Sequence, residues 1–140
     1  MRLVLDTDVV VAAMRSPSGA SAALLIAARE GTLQLVGSVS LVLEYEATCT
    51  RAEHQLASGL TEREVLVFLD AVAAMIEPAT TYFLWRPQLR DPEDEMVLEA
   101  AISGRADAIV TFNLRDFGDA PQQFRIEVLR PVVALKKVKP

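Results

Sequence analysis

With 140 residues, 51% of them apolar and 24% charged, the chain has ordinary globular composition and room for a real core, and a single domain over residues 1–140 is expected. A net charge of −5 argues against a protein that coats nucleic acid by charge alone, yet it suits an enzyme whose acids gather around a cation. One cysteine, Cys49, and one histidine, His54, exclude an internal disulfide, a cysteine-rich zinc site and a two-histidine metal site within one chain.

Asp6 and Asp8 interrupt the apolar N-terminal stretch, which makes it a poor signal peptide. No uncharged run approaches the ~18–20 residues of a membrane span. A soluble, cytoplasmic protein without a membrane partner is the expectation.

Leu3-Val4-Leu5 is a short apolar run that reads as a buried parallel strand with Asp6 at its carboxyl end. Val9 to Met14 continues as a helix, broken by Arg15-Ser16-Pro17-Ser18-Gly19. Ala20 to Glu30 has the best intrinsic helix composition in the chain, and Gly31 closes it. A second strand at Leu33 to Val36 leads to a helix capped by Ser38 or Ser40 that carries Glu44 and runs to about Arg51. Ala52 to Gly59 is polar and reads as a connection. Thr61 and Glu64 form a capping box ahead of Val65, Leu66, Phe68, Leu69, Val72, Met75 and Ile76 at helical spacing, ended by Pro78.

Thr80 to Trp85 reads as a third strand or an edge segment, and Pro87 and Pro92 bracket a turn. Asp91 is a natural N-cap with Pro92 at the first helical position, and that helix ends at Gly104. Ala108 to Val110 is a fourth strand, and Ile126 to Leu135 holds a fifth. Lys136, Lys137 and Lys139 are the only lysines. Strands alternating with helices over short connections predict an α/β protein, a three-layer α/β/α sandwich around a mostly parallel five-stranded sheet.

Right-handed crossovers put the strand ends on one rim. That rim collects Asp6 and Asp8 after the first strand and Asn113 and Asp116 after the fourth. Asp94 approaches if its helix starts there, and Glu44 is plausible on the same logic. A strand-end carboxylate is costly unless paired or bound to metal. Several carboxylates without histidine or cysteine suit Mg²⁺ or Mn²⁺, and hydrolysis of a phosphodiester is the reaction class that follows. The bland reading of Asp91, Glu93, Asp94 and Glu95 is that acids at a helix start complement its dipole.

Four stretches carry a resemblance: Leu5-Asp6-Thr7-Asp8-Val9, Ser40 to Glu44-Tyr45, Asp91-Pro92-Glu93-Asp94, and Val110-Thr111-Phe112-Asn113-Leu114-Arg115-Asp116-Phe117. In this order they resemble PIN-domain ribonucleases of the VapC kind, the toxins of type II toxin–antitoxin pairs. The resemblance implies that Asp6, Glu44, Asp94 and Asp116 bind one or two Mg²⁺ or Mn²⁺ and activate water to cut RNA. It implies Thr7, Asp8, Thr111 and Asn113 as supporting polar residues, with Asp91 beside them, and a homodimer held in check by a small antitoxin protein. Asp8 stands where that family usually has Asn, and Asn113 where many members have Asp. Contact with RNA falls to Arg15, Arg51, Arg90 and Arg115.

Two other readings compete. Asp6-Thr7-Asp8-Val9 also fits the opening of haloacid-dehalogenase phosphatases, but those need a mid-chain lysine and every lysine here follows residue 135. A phosphoreceiver domain fails for a similar reason. A catalytically degenerate PIN domain that only binds protein or RNA is kept alive by Asn113.

Overall fold

Leu3, Val4 and Leu5 are apolar on both faces of their strand, so the chain must bury that strand between two layers. Strand β1 (Arg2–Leu5) accordingly lies at the centre of the sheet. The computed structural model describes residues 1–80 and 87–139. In it, β1 is flanked by β2 (Gln34–Gly37) and β4 (Ala108–Val110), with β3 (Ile76–Pro78) and β5 (Glu127–Leu129) outside them. The order is β3-β2-β1-β4-β5 and every pairing is parallel. Register sets Leu3 against Leu35 on one side and Ala108 on the other, and Leu5 against Val110.

Helices cover the sheet to give the three-layer α/β/α sandwich. They are α1 (Thr7–Arg15), α2 (Ala20–Arg29), α3 (Val39–Cys49), α4 (Ala52–Ser58), α5 (Glu62–Met75), α6 (Pro92–Ser103) and α7 (Pro131–Val138). Helix α6 packs on β1, β2 and β4, while α2 packs against both α1 and α7. The core between layers is built from Leu3, Val4, Val9, Val10, Leu24, Leu35, Leu41, Leu98 and Ile109, all at most 1% exposed. Among the described residues no single helix is long and apolar enough to cross a membrane.

Local signals read from the sequence recur in the fold. Thr61 and Glu64 exchange capping-box hydrogen bonds at the start of α5, Asp91 caps α6 with Pro92 in the first turn, and Gly31 adopts φ +81° after α2.

Other expectations are corrected. Helix α1 starts at Thr7 rather than Val9, because Asp6 caps it directly. Residues 52–58 form α4 rather than a connection; none of its residues is buried, so it shows no apolar stripe. Helix α5 stops at Met75, and Ile76 opens the edge strand β3 instead of the last helical turn. The strand expected over Thr80 to Trp85 falls, but for Thr80, outside the described residues. The last apolar segment holds β5 and then a helix, α7, begun by Pro131.

Helix α6 leaves the sheet through Gly104. A Cβ there would sit 2.1 Å from Val36 Cγ1 and 2.9 Å from the Ala100 carbonyl oxygen, so the helix end rests directly on β2. Substituting Gly104→Ala should therefore lower stability by about 1–3 kcal/mol through overpacking. Urea denaturation should show a lower midpoint at unchanged slope. An unchanged midpoint would mean that α6 lifts off β2 without cost.

Candidate functional site

The sheet changes direction between β1 and β4: β2 and β3 lie to one side of β1, β4 and β5 to the other. Open parallel sheets take ligands in the crevice beyond the strand ends at such a switch point. Asp6 follows β1 and Thr111 follows β4. The Asp6 amide donates to the Val110 carbonyl at 2.9 Å, one step past the last strand residue. Beyond it the side chains take over. The buried Thr111 hydroxyl donates to Asp6 Oδ2 at 2.8 Å, and the Thr7 amide donates to Asp6 Oδ1 at 2.8 Å. Thr111 Oγ1 also accepts from the Asn113 amide at 3.0 Å.

Asp8 lies in the first turn of α1 and faces the same crevice. Its Oδ2 accepts from the Phe112 amide at 3.1 Å and from Asn113 Nδ2 at 3.0 Å. Its Oδ1 is buried with no hydrogen-bond partner among the described residues. Burial, and then the charge of Asp6, push the Asp8 carboxyl up to about 6. Asp6 is raised as well, by burial first, against the hydrogen bonds from Thr111 and Thr7, with Asp116 and Asp91 adding to the rise.

Helix α6 starts at this rim and brings three more acids. Asp91 caps it, accepting from the Glu93 amide at 2.9 Å. Asp94 is half-buried, and burial followed by the charges of Asp6, Asp91, Asp116 and Glu93 lifts its carboxyl to about 7. Asp116 is exposed on the 3₁₀ turn Leu114–Phe117. Glu44 is half-buried on α3 and accepts from the Thr48 hydroxyl at 3.1 Å. Its charge is the leading cause of the raised pKa of Glu93, which also feels Asp91 and Asp6.

The structure thus brings Asp91 and Asp116 within electrostatic range of Asp6 and Asp94, sets Asp8 beside Asp6, and joins Glu44 to them through Glu93. Of the arginines, Arg51 caps α4 and its charge is felt at Glu93. Arg90 and Arg115 are exposed neighbours of Asp91 and Asp116. Arg15 is not brought to the acids: it ends α1, at the opposite pole from Asp6, with Nη1 3.4 Å from His54 Nδ1. An apolar groove lined by Met14, Leu25, Ile26, Phe68, Val72 and Met75 contains none of these acids.

Among the described residues no three His, Cys, Asp or Glu side chains stand close enough to hold a metal ion as they lie. The donors are nevertheless all oxygens, the set that hard divalent cations take. A Mg²⁺ site keeps several waters and needs only one or two direct carboxylates. The unpartnered Asp8 oxygen and the mutual repulsion of the acids are the features such a charge would relieve.

The sequence pattern of the family described as PIN domain matches residues 2–115. The chain belongs to the PIN domain family. The match includes Asp6, Glu44, Asp94 and Thr111 and stops one residue before Asp116. No curated protein and no solved structure matches the chain.

Three residues of this PIN domain have a place in the site that sequence reasoning did not assign. Glu93 links Glu44 to the rest. Tyr45, 2% exposed, donates its hydroxyl to the carbonyl of Leu5, the residue before Asp6. Glu95 is buried rather than a solvated partner of the helix dipole. The only signal for Tyr45 is its helical spacing with Leu41 and Cys49, which puts the three on one face of α3.

The folded-state pKa values of Asp6, Asp8 and Asp94 are all raised, those of Asp8 and Asp94 to about 6 and about 7. The folded state then binds more protons than the unfolded chain between about pH 4 and 7, and the contribution is lost as pH rises through that window. In EDTA, the melting temperature should fall between about pH 5 and 8, and Asp94→Asn should flatten the fall. A curve of the same steepness in Asp94→Asn would show that this carboxylate does not titrate in the window.

Proposed function

We propose that this PIN domain is a metal-dependent endoribonuclease that hydrolyses RNA phosphodiesters and serves as the toxin of a toxin–antitoxin pair. The observation that carries the reading is the gathering of Asp6, Asp94 and Asp116 at the switch point, where the charge of Asp116 raises the pKa of both Asp6 and Asp94 and that of Asp6 raises Asp94. Folding spends free energy to hold like charges together, and a divalent cation is the simplest partner that returns it. Asp6, Glu44, Asp94 and Asp116 are the residues that would hold Mg²⁺ or Mn²⁺. Such an ion, when bound, supplies positive charge to phosphate oxygens and lowers the pKa of a water.

The chain's own groups do the rest. Thr111 and Thr7 hold both oxygens of Asp6 in place. Phe112 and Asn113 orient Asp8, and Asp91 sets the start of α6. Arg51, Arg90 and Arg115 flank the acids and offer positive charge to the phosphates of a bound strand. The toxin role, the antitoxin partner, a homodimer and a cytoplasmic setting rest on the resemblance of the four motifs to VapC-like toxins. One observation favours a second reading, a PIN domain that binds without cutting: the Asn113 amide is spent on Asp8 and contributes no carboxylate.

Incubation with a mixed RNA pool separates the two. Cleavage should need Mn²⁺ or Mg²⁺ and stop in EDTA. It should fall by about 100-fold or more in Asp6→Asn and in Asp94→Asn, with both variants still folded. If the folded wild type leaves RNA intact at high enzyme and metal, the nuclease reading is wrong and the chain is a binding module.

A further inference from the structure

Glu95 is 8% exposed, on a helix turn whose other acids, Glu93 and Asp94, are exposed or half-buried. Carboxylates are almost never buried without partners, and this one has two in succession. The Gln88 amide lies 3.1 Å from Oε1 and 3.1 Å from Oε2, and the Leu89 amide donates to Oε2 at 2.8 Å. Side chains on a helix lean toward its N-terminus, so a glutamate early in α6 reaches back over the chain that leads into it. The bonds are not the helix's own cap, since Asp91 fills that role through Glu93. They fasten residues 88–89, exposed and half-buried respectively, to the body of α6.

The fastened loop runs straight into Arg90 and Asp91. Asp91 is the N-cap of α6, three residues before Asp94, so this loop leads directly into the helix turn that carries Asp94 at the acidic crevice and forms one of its walls. We propose that Glu95 is a positioning residue: its buried carboxylate clamps the 87–91 loop against α6 and so sets the wall that grips the substrate beside the acids. The proposal rests on the nuclease reading for its substrate, but the clamp itself does not. Glu95 neither borders Asp6 nor belongs to the set that would hold a metal. Its loss should loosen substrate binding and leave the chemical step alone.

Glu95→Gln keeps the shape but sets one acceptor oxygen and one NH₂ before two amide donors. In cleavage kinetics KM should rise about tenfold while kcat stays within about twofold. In wild type, hydrogen exchange at the Gln88 and Leu89 amides should be at least about tenfold slower than at the neighbouring Arg90 amide. Glu95→Gln should abolish that protection without changing exchange in β1 or β4. Gln88→Pro deletes the backbone donor and the side chain together, so Gln88→Ala, which keeps the donor, is its control; KM should rise in Gln88→Pro relative to Gln88→Ala, which covers the case in which Glu95→Gln does not fold. A fall in kcat at unchanged KM, or unprotected Gln88 and Leu89 amides in wild type, overturns the proposal. If wild type cuts no RNA, the nuclease reading falls by itself. The exchange data then decide the clamp, protected amides released by Glu95→Gln upholding it and unprotected ones ending it.

Discussion

Carboxylates repel one another, and this fold nonetheless brings five aspartates to one rim of its sheet. What makes that tolerable is the direction of the chain there. Every strand of a parallel sheet ends on the same side, and the helices that follow begin on it, so their unpaired amides and positive dipole ends face the acids. Asp6 caps α1 and Asp91 caps α6, each placed where a helix end favours negative charge. The Thr111 hydroxyl completes the arrangement by joining the end of β4 to the end of β1 through Asp6. The Asp6 amide on the Val110 carbonyl, and Phe112 and Asn113 on Asp8, are the other hydrogen bonds that tie the two strand ends together at the rim.

The rim is held from within by contacts that carry no charge to the crevice. Tyr45 joins α3 to the Leu5 carbonyl, which ties the helix bearing Glu44 to the strand that ends in Asp6. Helix α6 is held at both of its ends. At its carboxyl end Gly104 rests on Val36, and its carbonyl accepts from Arg2 Nη2 at 2.8 Å and Nε at 3.2 Å. At its amino end Asp91 and Glu95 fasten the incoming loop. A helix fixed at both ends cannot slide along the sheet. The place of the α6 backbone beside the end of β1 is therefore set by the fold.

The features legible in the sequence are those whose cause is local. A capping box needs only Thr61 and Glu64, and a buried central strand needs only an unbroken apolar run at Leu3 to Leu5. Parallel connectivity puts Asp6 at the rim, and puts Asp94 there on the condition that its helix starts at the rim. What escaped depends on packing between distant segments. Ile76 continues the apolar spacing of α5 in sequence, but pairing with Leu35 on β2 draws it into a strand. Helix α4 has no buried residue and so no periodicity to detect. Glu95 looks like any acid in a first helical turn until the path of residues 88–89 passes beneath it.

The two departures from the VapC-like pattern are better understood together than apart. Asp8 takes a position where Asn is usual, and Asn113 one where Asp is common; in the structure these side chains are hydrogen-bonded to each other, Asn113 Nδ2 donating to Asp8 Oδ2. The acid and the amide have changed places across one bond. The exchange keeps the bond and the number of carboxylates at the rim, but moves a negative charge from the β4 side to the α1 side, next to Asp6. That move has a cost visible in the carboxyl itself: Asp8 is raised to about 6 by burial and by Asp6, and its second oxygen has no partner among the described residues. Measured against that resemblance, the crevice has its charge on the α1 side of this bond and its amide on the β4 side. Asp116 lies on the exposed turn that follows β4, and its charge is felt at both Asp6 and Asp94.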